Sequence, residues 1–150
     1  MVKARPPLRL RPWKPGEDAA FTPAPAFALE QGAVAYDWRQ GPPGHTWSII
    51  RGDNQVIGVG GVVELKSGEW EAWAWLAETH RRDWPRLIDL AKAVLDFADP
   101  WIGHKGLVAS ARGDNPAAVR CLARLGFAPA YGFEHSRLPG VPFLHMERVG

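Results

Sequence analysis

At 150 residues and 16.5 kDa the chain has the length of one domain, and its 46% apolar residues suffice for a sizeable core. The net charge of +2 is spread over interleaved acids and bases, which disfavours nucleic acid as a partner. The single Cys121 excludes an intrachain disulfide, the His spacing suggests no metal, and no apolar run approaches the ~20 residues of a membrane span.

In chain order, the proline-rich start predicts a short strand over Leu8–Trp13, followed by a Pro-Gly turn and a short helix near Glu17. A helix is expected between Ala26 and Tyr36, and Gly41–Gly44, "GPPG", forces a loop. Met1–Trp13 lacks an apolar signal core, so the expected location is cytoplasmic, with no membrane partner.

Three strand-like runs then follow with turn residues between them: His45–Arg51, Val56–Leu65 and Glu69–Ala77. They read as an antiparallel meander. In the third run Trp70, Ala72, Ala74 and Leu76 share one face, and Glu71, Trp73, Trp75 and Ala77 share the other. Both faces are mainly apolar, which is the pattern of a central strand covered on both sides. Most of the eight Trp are accordingly expected in the core. Gly58, Gly60 and Gly61 in the second run would allow a bulge or a close approach, or would leave room for Trp.

Asp83–Ala98 carries Leu87, Leu90, Ala91, Val94, Leu95 and Ala98 at spacings of three and four, an amphipathic helix with Asp83 as its expected cap. Gly106–Arg112 reads as a short buried strand, so the strand–helix–strand passage implies a crossover with parallel pairing. In "DNPAAVRCLARLGF", Asn115 is a cap, Pro116 opens a helix and Gly126 lies just past its end. "APAYGFEHS" and "PFLHMERV" close the chain as two strands.

This order of elements, ending in "NPAAVRCLARLGF", resembles the GNAT superfamily of N-acetyltransferases, whose late helix carries N-x-x-A-x-x-x-Y-x-x-x-G-F. Asn115, Ala118, Gly126 and Phe127 fit that pattern in register. The resemblance implies one α/β (α+β) domain over 1–150, with a mixed central sheet of about six to seven strands and helices on both faces. It implies transfer of an acyl group from acetyl-CoA, or another acyl-CoA, to an amine by direct attack. In the family the coenzyme arm enters a gap between the fourth and fifth strands, here Glu69–Ala77 and Gly106–Arg112.

Carried over position by position, the resemblance makes Trp75, Leu76 and Ala77 the source of backbone donors for the thioester, and makes Asn115 a holder of the coenzyme arm. Arg81, Arg82 and Arg86, with His80, would meet the phosphates. Glu71 would be the general base, with Glu78 and Glu64 behind it. Read from the residues alone, Glu71 is equally an exposed strand-end acid, and the arginines equally reach into solvent.

Two departures from the family pattern stand out. The phosphate loop Q/R-x-x-G-x-G/A aligns with "RDWPRL", where Pro85 and Leu87 replace glycines and Pro85 removes a backbone donor. The helix tyrosine that supplies a proton to the leaving thiolate aligns with Leu122, which leaves Tyr131 and Cys121 as substitutes to consider. These departures motivate an alternative, a catalytically inactive binding or structural protein of the same fold, as among the acetyltransferase-like proteins of phages. Small-molecule, peptide and protein acceptors all stay open, as do monomer and homodimer.

Overall fold

The computed structural model describes residues 7–14, 16, 17, 21, 45–65, 67–77, 81–103, 105–113, 115–134 and 140–148. Seven strands form one sheet: β1 (Leu8–Pro12), β2 (Thr46–Arg51), β3 (Gln55–Glu64), β4 (Trp70–Leu76), β5 (Leu107–Arg112), β6 (Phe127–Glu134) and β7 (Pro142–Arg148). Their spatial order is β1-β2-β3-β4-β5-β7-β6. The expected meander is present, with β2, β3 and β4 paired antiparallel in sequence. β4 lies in the middle of the sheet, as its two apolar faces suggested, and pairs parallel with β5.

Two helices are described, α1 (Trp84–Ile102) and α2 (Pro116–Arg124). Both pack on the same side of the sheet. Leu95, Ala98 and Ile102 of α1 share one core cluster with Trp70, Leu107, Ala109 and Met146, and Val119, Leu122 and Leu125 pack against it from the α2 side. This placement follows from handedness: β4, β5 and β6 run parallel, and successive right-handed crossovers in one direction along a sheet bring both helices to one face. The other face carries Val59 and Trp75, covered by Trp13, Phe21 and Trp73. The helix expected at Ala26–Tyr36 lies outside the described residues, as does most of the one expected near Glu17. Glu17 itself is buried, where its carboxylate takes hydrogen bonds from Arg11, Ser48 and the Lys14 amide.

The opening of α1 departs from expectation. Asp83 makes no capping hydrogen bond. Its carboxylate turns instead to Arg51, whose Nη2 donates to Oδ2 at 2.8 Å, so a tertiary ion pair overrides the local capping preference. α1 also runs beyond Ala98, through Pro100 to Ile102. A proline there forfeits its own helical bond close to the helix end, and Gly103 closes the end by donating from its amide to Asp99 O at 2.9 Å.

α2 follows the local rules closely. Asn115 Oδ1 accepts from the Ala118 amide at 3.2 Å, Pro116 opens the helix, and Gly126 takes a φ of +96° beyond its end. The glycines of β3 serve packing rather than a ligand. A Cβ at Gly61 would stand 2.0 Å from His45 O, and one at Gly60 would stand 2.9 Å from Trp73 O. Backbone therefore approaches backbone where a side chain would collide.

Candidate active site

β4 and β5 make only two pairs, Trp70↔Leu107 and Glu71↔Val108. Beyond them the strands part. The Trp70 amide donates to Gly106 O across this junction, whereas the Ala77 amide donates to Ile57 O on β3. Strand periodicity then aims the N–H and C=O groups of Ala74 and Leu76 into the gap, and those of Trp73, Trp75 and Ala77 at β3. Of the three residues expected to supply backbone donors, Leu76 alone directs its amide into the gap. The backbone groups of Trp75 and Ala77 face β3, where the Ala77 amide donates to Ile57 O.

The gap widens toward the C-terminal ends of both strands. The segments leaving those ends lead to α1 and α2, and the start of α1 is tied to β2 through Asp83–Arg51 and to β1 through Arg86–Leu8 O. Ala74 is exposed on the helix side and narrows the opening little. A central strand edge that pairs with no strand among the described residues beyond Glu71 suits a long ligand that can form strand-like hydrogen bonds. The pantetheine arm of a coenzyme A ester fits this description.

Glu71 stands at the apex of the gap, on the face away from the helices. Burial pushes its carboxyl above the ordinary carboxylate range. The register carries this face outward in rows. Glu71, Val108 and Glu147 lie in one row, and Ser110, His145 and Tyr131 lie in the next. Tyr131 is 57% exposed and stacks on His145 at 4.6 Å between ring centroids, and His145 Nε2 lies 3.7 Å from Glu147 Oε1.

Tyr131 and Leu122 therefore occupy opposite faces of the sheet. Leu122 packs against the core cluster under α2, and Tyr131 lies on the far face of β6, beyond β7. Tyr131 does not take the position of a helix tyrosine. Cys121 is half-buried on α2, where burial pushes its thiol up against the opposing charge of Arg124.

At the phosphate end, Arg81–Asp83 forms a single 3₁₀ turn, Pro85 lies in the first turn of α1 and Leu87 is in the core. Arg82 is exposed, and Arg86 Nε donates to Leu8 O at 3.2 Å. Arg86 is thus committed to β1 through one of its donors. Glu78, His80 and the side chain of Arg81 lie outside the described residues. Asn115 spends its Oδ1 on the cap, leaving the Nδ2 donors for another partner. Among the described residues no group of three or more His, Cys, Asp or Glu could hold a metal ion, and no helix is long and apolar enough to cross a membrane.

Sequence reasoning did not single out Ala74, Ser110 or His145. The strand alternation could have indicated Ala74, which with Ala72 leaves small side chains on the helix side of the open stretch.

A family model described as Acetyltransferase (GNAT) domain matches residues 8–128. Solved structures agree in fold. An acetyltransferase of the GNAT family from Bacillus anthracis aligns with a TM-score of 0.65 at 11% identity, covering 97% of this chain and 98% of that one. A GCN5-related N-acetyltransferase from Kribbella flavida gives 0.60 at 20% identity, covering 94% and 96%. A chimaeric spermidine N-acetyltransferase from Vibrio cholerae gives 0.64 at 15% identity, covering 95% of each. No curated protein sequence matches the chain.

Proposed function

The chain belongs to the GNAT acetyltransferase family, and on that premise we propose that it transfers an acyl group from acetyl-CoA, or a related acyl-CoA, to an amine by direct attack in a ternary complex. The observation that carries this reading is the parting of β4 from β5 directly after Glu71 and Val108, with a half-buried carboxylate at the apex. Residues 1–150 are read as one such domain, since the first and last described strands belong to a single sheet.

In this reading the acyl-CoA enters from the helix side. Its arm lies along the gap-facing backbone of Ala74 and Leu76, and its phosphates lie near the start of α1 and Arg82. The Leu76 amide donates to the thioester carbonyl, favouring the charge that gathers on its oxygen. The amine approaches from the opposite face, where Glu71 accepts its proton, directly or through a water. The nitrogen bonds to the carbonyl carbon, the carbon–sulfur bond breaks, and the released thiolate takes its proton from solvent because Leu122 supplies none. Holding the two reactants on either side of one gap reduces the entropic part of the barrier.

Titration with acetyl-CoA under thermal unfolding tests the reading. At about 100 times the dissociation constant, binding adds ~2.7 kcal/mol, a rise of several degrees for a domain of this size. A saturable rise followed by acylation of an amine in a mixed panel upholds it. No shift at millimolar acetyl-CoA defeats it. Binding without turnover on any amine would favour a binding protein of this fold.

A further inference from the structure

The charges on the exposed face of α1 run against the helix's own dipole. Arg86 lies near its N-terminal end, Asp89 and Lys92 lie in its middle, and Asp96 and Asp99 lie near its C-terminal end, all of them exposed. No acid occupies the first turn and no base the last. An isolated helix favours the reverse, with acids beside its unsatisfied amides and bases beside its unsatisfied carbonyls. Asp89, Lys92, Asp96 and Asp99 recur at spacings of three and four and so form one stripe, on the side away from the buried Leu87, Leu95, Ala98 and Ile102. These four charges form no salt bridge with another described residue.

The sequence of signs is also self-complementary. About the midpoint between Asp89 and Lys92, these two residues exchange places, and Arg86 falls within one residue of the mirror position of Asp96. Two copies of α1 packed antiparallel about a two-fold axis at that midpoint set Asp89 against the partner's Lys92 and Arg86 against the partner's Asp96, with the reverse following by symmetry. Parallel packing in the same register would set each charge against its like. The antiparallel arrangement also lays the basic start of one helix beside the acidic end of the other, which relieves the unfavourable placement in both.

The same face presents an apolar anchor. Phe97 is 59% exposed, yet its ring is held nearly perpendicular to those of Trp47, at 5.8 Å between centroids, and Trp101, at 5.2 Å. In the antiparallel pair it falls opposite the partner's Pro85 and Arg86, so that a guanidinium can lie over the ring. A large side chain fixed before contact loses little freedom on association.

We propose that the exposed face of α1 is a self-association surface, on which a second copy of this chain packs its own α1 antiparallel about a two-fold axis near Asp89 and Lys92. The inference does not rest on the acyl-CoA reading. A contact built on one helix of 19 residues, about 28 Å long, lies at the small end of specific interfaces, so the dimer is weak and reversible.

Sedimentation equilibrium on the full chain, at concentrations up to ~1 mM and at low and high salt, tests this. Wild type should dimerise, and less so as salt is raised. Asp89→Lys and Lys92→Asp each place like charges across the axis and should each weaken the dimer by ~10-fold or more, whereas the double variant, which exchanges the two charges, should regain it. The two single variants mixed together should form a heterodimer, because one brings two bases to the axis and the other two acids. Wild type that stays monomeric overturns the proposal. So does a dimer that both single variants leave unchanged, or one that neither the double variant nor the mixture restores. If a single variant does not fold, Phe97→Ser decides with the salt series: a dimer weakened ~10-fold by the substitution and weakened by salt upholds the proposal, and one unaffected by either overturns it.

Discussion

Glu71 and Val108 form the last pair that β4 and β5 make before the strands separate, and the Glu71 side chain lies on the face away from α1 and α2. The carboxylate thus stands between two compartments. On one side are the helices and a gap-facing strand edge; on the other are Ser110, His145, Tyr131 and Glu147. The two substrates of an acyl transfer can meet there without crossing each other's path.

Replacing this carboxylate should separate activity from stability. Glu71→Gln is expected to lower kcat by ~10²–10⁴-fold, the usual contribution of a general base. Burial raises the Glu71 pKa above its ordinary 4.5, so the folded state holds the proton more tightly than the unfolded chain does. The stability this group contributes is full below pH 4.5 and is lost as pH rises through the raised value. Glutamine carries no such loss. The variant should therefore melt later than wild type at pH 7–8, with the gap closing toward pH 4, and melting curves across that range check it. Equal turnover in both proteins would remove Glu71 from the base role.

Asn115 caps α2, and in the proposed reading it also holds the coenzyme; two substitutions separate these roles. Asn115→Ala should cost ~1 kcal/mol through loss of the bond to the Ala118 amide. Asn115→Asp keeps an acceptor for that amide but loses the Nδ2 donors and adds a negative charge near the coenzyme. It should melt like wild type yet bind acetyl-CoA at least ~10-fold more weakly, about the value of one hydrogen bond. Binding that follows stability in both variants would reduce Asn115 to a cap.

Much of the fold was legible because the relevant signals are local. Alternation in β4, the spacing of Leu87, Leu90 and Leu95 in α1, and the Asn115–Pro116–Gly126 pattern around α2 each identify an element without knowledge of its neighbours. What was not legible is of tertiary origin. Asp83 was drawn from its cap by Arg51, which is 32 residues away in sequence. Tyr131 reached its face through a register shift between Pro129 and Tyr131 in the β6–β7 ladder, which no composition rule announces. The gap itself is an absence of pairing. Nothing in Trp70–Leu76 or Leu107–Arg112 states that their ladder stops after two pairs, and only the family resemblance anticipated it.

The helix-side opening of the gap offers the most direct test of where the coenzyme lies. Ala74 is exposed there, its backbone faces the gap, and on the β3 side it is paired with Gly60. A large side chain at 74 would occupy the space through which the arm must pass, while burying little of the core. Ala74→Phe should therefore leave the melting temperature within a few degrees of wild type, as surface substitutions generally do within about 0.5 kcal/mol, and weaken acetyl-CoA binding by ~100-fold or more, because an obstructed ligand loses several contacts at once. Ala74→Ser adds little volume and should bind as wild type does. Calorimetric titration of the three proteins distinguishes the outcomes: if Ala74→Phe binds acetyl-CoA with undiminished affinity, the arm does not run between β4 and β5, and the backbone donors of Leu76 and Ala74 have no part in the reaction.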